Sequence, residues 1–133
     1  MKPTKEPWFV ANEELDGRMV NAICGKDLAG LMSCFHQGPE LVAVLWGTEM
    51  HGTAEIRQAI ESLFSRYEAL KLSLDRVERV HSGDFVLAVG HATWTLTAEG
   101  KVTTLCEVWT DVRRLVDGNW VYLLNHAEIL PGA

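Results

Sequence analysis

Histidine is the side chain whose ordinary pKa lies nearest neutrality, so acid–base chemistry is sought there first. His91 sits in the middle of an apolar run, Phe85 to Thr97, and is the candidate general base. Thr110 and Asn125 are of the types that orient a ligand carbonyl or hydroxyl in an otherwise apolar pocket. Glu49 and His51 stand two apart and would need a further ligand to hold a metal, so no metal site is expected. Cys24, Cys34 and Cys106 are odd in number and lack C-x-x-C spacing. That pattern supports neither a disulfide framework nor a zinc site, and reduced thiols are expected. With no Gly-rich phosphate loop and no nucleophile elbow, no cofactor is expected either.

The elements that would position these groups can be read from periodicity and turn residues. Asn12 is a candidate cap for a first helix with Leu15, Met19, Val20, Ile23 and Cys24 on one face, ended by Gly25. Asp27 can cap a second, with Leu28, Leu31, Met32 and Phe35, broken at Gly38-Pro39. Leu41–Trp46 reads as a buried strand and Gly47–Gly52 as a turn. A third helix starts at Thr53 and carries the stripe Ile56, Ile60, Leu63, Phe64, Tyr67. Four strands follow, over 72–80, 85–97, 102–116 and 120–129, with turns at Glu99-Gly100 and Asp117-Gly118. Helix–helix–strand–helix–strands implies an α+β fold with the helices on one face of a mainly antiparallel sheet.

The 133 residues suit one domain, read as an N-terminal arm over 1–11 and a single domain over 12–133. Hydrophobic residues make up 47% and charged residues 23%, so disorder is excluded. The formal net charge of −6 without a basic run speaks against a nucleic-acid surface. No apolar stretch approaches the ~18 residues of a membrane span, and no apolar h-region follows the charged start. A cytoplasmic protein that contacts neither membrane nor nucleic acid is expected.

Two-residue hairpins fix a register in which His91 faces Val108, Gly90 faces Trp109, Val112 faces Leu123, Thr110 faces Asn125 and Trp109 faces His126. One face then carries Leu87, Val89, His91, Cys106, Val108, Thr110, Val112, Leu123 and Asn125, without a charge. The other carries Trp94, Glu107, Trp109, Asp111, Arg113, Tyr122, Leu124, His126 and Glu128. Because uncompensated charge is costly in a core, the uncharged face is placed inward. The aromatic, charged face has the composition of a protein interface. Trp94, Trp109, Asp111, Tyr122 and His126 are therefore expected to form a homodimer contact. Should the faces be reversed, His126 with Asp111, Glu107 and Glu128 becomes the site instead.

Gly25-Lys26-Asp27-Leu28, His51-Gly52-Thr53-Ala54-Glu55-Ile56, Asp117-Gly118-Asn119-Trp120 and Asn125-His126 occur in an order and spacing that resemble the nuclear-transport-factor-2-like superfamily, in its SnoaL-like and ketosteroid-isomerase-like groups. The resemblance runs from Asn12 to Ile129. It implies a curved sheet wrapped round three helices into a cystatin-like cone with an apolar pocket inside, and frequent dimers through the outer sheet face. The superfamily hosts isomerases, dehydratases, epoxide hydrolases, polyketide cyclases and association modules, so fold alone does not give function. Aligned on Asp27, Gly52 and Gly118, the isomerase's base falls at Ala43, its tyrosine near Met19 and its second acid near Val112. None of these moves a proton, so ketosteroid isomerase chemistry is not expected.

These readings lead to a cone pocket that binds a small, largely apolar or aromatic molecule, with acid–base turnover assisted by His91. The expected lining is Met19, Ala43, Trp46, Phe64 and Tyr67 from the first half of the chain, and Val108, Thr110, Val112, Leu123 and Asn125 from the sheet. A non-catalytic homodimeric association module is the alternative.

Overall fold

A computed structural model describes residues 5–131; residues 1–4 of the expected arm lie outside it. The first helix, α1, runs Pro7–Cys24 and so takes in residues 7–11 of that arm. It starts at proline, whose fixed φ suits the first helical position. Asn12 is thus not its cap. Asn12 lies fully buried inside the helix and donates to the Trp8 carbonyl at 2.7 Å. Asp27 does cap α2 (Leu28–Met32), accepting from Gly30 N at 2.9 Å.

The expected turn after the first strand resolves into a hairpin of β1 (Val42–Leu45) and β2 (Thr48–His51). Helix α3 (Gly52–Arg66) follows directly, and Glu55 reaches back to accept from His51 N at 3.0 Å. Ile56 and Ile60 of its stripe are buried. Then come β3 (Ala69–Ser82), β4 (Phe85–Ala98), β5 (Lys101–Val116) and β6 (Asn119–Ile129). The sheet order is β2-β1-β6-β5-β4-β3, all antiparallel except the parallel pair β1–β6. The fold is an α+β cone, a curved six-stranded sheet closed by three helices. No helix among the described residues is long and apolar enough to cross a membrane.

Both later hairpins turn as expected. Glu99-Gly100 and Asp117-Gly118 have positive φ at both residues, which the two-residue turn requires. Ala98 pairs with Lys101 and His91 with Val108. The β5–β6 register departs from expectation. Val112 pairs with Leu124 and Arg113 with Tyr122, so Leu123 is an unpaired bulge residue. Beyond the bulge every β6 side chain changes face. Asn125 comes opposite Asp111, His126 opposite Thr110, and Ala127 opposite Trp109.

The two faces of the sheet are the reverse of the sequence expectation. Ala88, Ala92 and Trp94 of β4, with Glu107, Trp109, Asp111 and Arg113 of β5, are buried beneath the helices. Leu87, Val89 and Leu124 are exposed at 49%, 40% and 40%. The charges go inside because they are paired there, which removes the penalty that the uncharged-core argument assumed. Gly90 permits one close approach in this layer. A Cβ there would lie 2.4 Å from Trp109 Cζ2 and 2.5 Å from the Arg76 carbonyl.

Candidate functional site

Arg113 is fully buried and is the hub of a four-charge cluster. Its Nε and Nη2 donate to Asp111 Oδ1 and Oδ2 at 2.7 and 3.2 Å. Its Nη1 and Nη2 reach Asp16 Oδ2 and Oδ1 at 3.1 and 2.9 Å. Arg79 Nη2 donates to Asp16 Oδ2 at 2.6 Å, and the Tyr122 hydroxyl donates to Asp16 Oδ1. Alternation along β5 puts Asp111 and Arg113 on one face. Asp16 arrives from α1, one turn after Asn12 and on the same helix side. Two cations and two carboxylates balance, as buried charges must.

Burial pushes the Asp111 carboxyl up, to about 6; the Arg113 guanidinium pulls against that and the Asp16 carboxylate adds to it. Burial works against the charge of Arg113, but Asp111, Tyr122 and Asp16 outweigh it and raise its pKa. Burial, then the Asp16 carboxylate, holds the Tyr122 phenol well above its ordinary value. Tyr122 therefore stays a donor.

A cavity of about 100 Å³ lies between this face and the helices. Its walls are apolar, among them Ile56, Ile60, Leu72 and Trp109. Its polar lining is Asp16, Glu107, Asp111, Tyr122 and Asn125. An apolar cavity of ~150 Å³ takes up a benzene, so this smaller one takes one end of an apolar molecule rather than the whole of an aromatic one. Glu107 is buried, and Trp46 Nε1 donates to its Oε2 at 2.7 Å. Burial raises the Glu107 pKa, opposed by the Trp46 bond and the nearby Trp94 indole, whose Nε1 itself completes no hydrogen bond.

Of the residues expected to line the pocket, Met19, Ala43 and Asn125 do so. Trp46 and Tyr67 line a neighbouring hollow. Phe64 packs against the core and lines neither. Thr110 and Val112 border a shallow groove on the opposite side of the sheet, Val108 shares their face, and Leu123 is the bulge residue. His91 is exposed on that outer face, so the trio His91, Thr110 and Asn125 is not brought together. Trp94, Trp109, Asp111 and Tyr122 are buried in the subunit and cannot form the expected dimer contact. His126 is outside, 3.1 Å from Glu128, and joins neither site.

Of the reversed-face alternative, Asp111 and Glu107 line the cavity; the bulge is what removes His126 and Glu128 from it. Asp16, Arg79 and Arg113 are the residues that sequence reasoning missed. A signal for the last exists in Asp111-x-Arg113, opposite charges at strand spacing. A second lies in Asp16 on the apolar side of α1. Val112 has no proton to move, but Asp111 beside it does, and it faces the cavity. Ala43 and Met19 line the cavity and add no titratable group.

The profile of the SnoaL-like domain matches residues 17–123, from within α1 to within β6. The chain belongs to the SnoaL-like domain family. No curated protein matches this SnoaL-like domain. Solved structures resemble it closely in fold. A candidate dehydratase of the NTF2-like family from Streptomyces avermitilis shares 17% identity at a TM-score of 0.84, over 94% of this chain and 99% of that one. A candidate aromatic ring hydroxylase from Novosphingobium aromaticivorans shares 17% at 0.84, over 95% and 92%. A candidate scytalone dehydratase from the same organism shares 10% at 0.85, over 92% and 84%. At such identities the likeness is one of fold. The chemistry of this SnoaL-like domain rests on its own residues.

Proposed function

We propose that this SnoaL-like domain binds a small, largely apolar or aromatic molecule in its cavity and moves a proton on it, with Asp111 as the base. The observation that carries the reading is the buried Asp111 carboxyl set in the lining of an apolar cavity, and that burial raises its pKa to about 6. A base with that pKa is mostly ionised at neutral pH and still basic enough to take a proton. Arg113 occupies two of the roughly four acceptor positions of the carboxylate, which fixes its orientation and leaves lone pairs for a proton. Isomerase, dehydratase, hydrolase and cyclase chemistries all use such a step, and two of the structural relatives carry dehydratase names.

Tryptophan fluorescence titrated with indane and 1-indanone tests the reading, because Trp94 and Trp109 line the cavity. Saturable quenching is expected, and Ala43→Leu, which fills the cavity from a wall residue, should abolish it. Quenching by neither compound, or quenching that survives Ala43→Leu, contradicts ligand binding there.

A second reading concerns assembly. Val80, Leu87, Val89 and Leu124 lie exposed, Val80 at 66%, and apolar side chains gathered on one face mark an association surface. We propose a homodimer through this outer face, formed by these residues rather than by the buried tryptophans. Light scattering should give a dimer mass, and Leu87→Glu should give the monomer. A monomeric parent protein contradicts it.

A further inference from the structure

A second hollow, of about 430 Å³, adjoins the cavity and shares Leu45, Ile60, Leu63, Trp94 and Glu107 with it. It reaches the surface beside the exposed Thr48, Ser62 and Arg66. Trp46 lines this outer hollow and not the inner cavity. Its indole is bonded to Glu107 and meets Trp94 edge-on at 5.4 Å. Trp46 also opens the β1–β2 turn at φ +50, ahead of Gly47 at φ +88. That left-handed conformation is ordinary for glycine or asparagine and strained for a bulky residue. Strain of this kind persists where the surroundings hold it, and it gathers at ligand clamps. Here a tryptophan is held at the boundary between two hollows.

The charged residues lining the outer hollow are Glu107 and Arg66. Glu107 is engaged by Trp46. Arg66 forms no ion pair among the described residues, and its guanidinium lies over the Tyr67 ring at 5.6 Å. Stacking of that kind leaves the in-plane N–H donors available to a carboxylate.

We infer that the two hollows are halves of one ligand site, and that the ligand is an apolar or aromatic molecule carrying an anionic tail. Its head fills the inner cavity, its middle crosses against Trp46, and its tail meets Arg66. The inference rests on the proposed ligand site and adds the class of molecule to it.

Calorimetry with 4-phenylbutanoate and 4-phenylbutan-1-ol, which differ in the charge of the tail, tests it. The acid is expected to bind about threefold to fivefold more tightly than the alcohol at low salt, as a partly exposed ion pair would give. Arg66→Gln should remove that difference by weakening the acid alone, and Trp46→Ala should weaken both compounds. Equal affinity for acid and alcohol, a preference that survives Arg66→Gln, or indifference of both probes to Trp46→Ala overturns the inference. If the alcohol binds and Ala43→Leu abolishes its binding, the inner cavity stands as a ligand site even when the anionic preference is absent. If neither compound binds, both readings fall.

Discussion

Arg113 Nε lies 2.7 Å from Asp111 Oδ1, two residues along the same strand and on its buried face. That pair turns the sheet the unexpected way round. Alone, either charge would be expelled from a core; together, and with Asp16 and Arg79, they are accommodated in it. The consequence is a polar cluster set against an apolar cavity, with an uncharged ribbon left outside.

Removing the cation should be severe. Arg113→Met leaves Asp111 and Asp16 buried with Arg79 as the remaining partner, and breaking such a pair costs roughly 3–5 kcal/mol. Urea unfolding measures it. Arg76→Met, at an exposed pair with Glu78, should stay within about 0.5 kcal/mol of the parent.

The raised pKa of Asp111 gives stability a pH dependence of known sign. Its folded pKa of about 6 lies above the ordinary carboxyl value of 3.8, so the folded state holds the proton more tightly. The contribution is fully present below the unfolded value and is lost as pH rises through about 6. Relative to Asp111→Asn, the parent should therefore gain roughly 2–3 kcal/mol as pH falls from about 7 to about 4. Chemical denaturation at both pH values reads it. A parent that loses ground to the variant on acidification contradicts the assignment.

The close approach at Gly90 predicts a costly methyl. Gly90→Ala puts a Cβ inside contact distance of both the Trp109 ring and the Arg76 carbonyl, and backbone cannot yield as a flexible side chain would. Destabilisation of about 2 kcal/mol or more is expected, with a changed near-ultraviolet circular dichroism signal from the displaced indole.

Much of this fold is legible because its signals are local. The left-handed turns at Glu99-Gly100 and Asp117-Gly118 demand those residues, and the stripe of α3 repeats at helical spacing. The start of α1 is not legible by its capping residue, because Pro7 initiates it and Asn12 is buried within. Strand β2 is too short and polar to show alternation. The site was misplaced for two physical reasons. The partner of Arg113 and Arg79 is Asp16, far away in the chain, so the charges looked uncompensated. The bulge at Leu123 leaves no trace in composition, yet it sends Asn125 inward and His126 outward.

The most direct measurement is the carboxyl carbon-13 resonance of Asp111, identified by its loss in Asp111→Asn and followed through pH with and without indane. A midpoint near 6 that moves when one end of indane enters the cavity is expected. A midpoint in the ordinary range near 4, unmoved by indane, would contradict a buried, cavity-facing base.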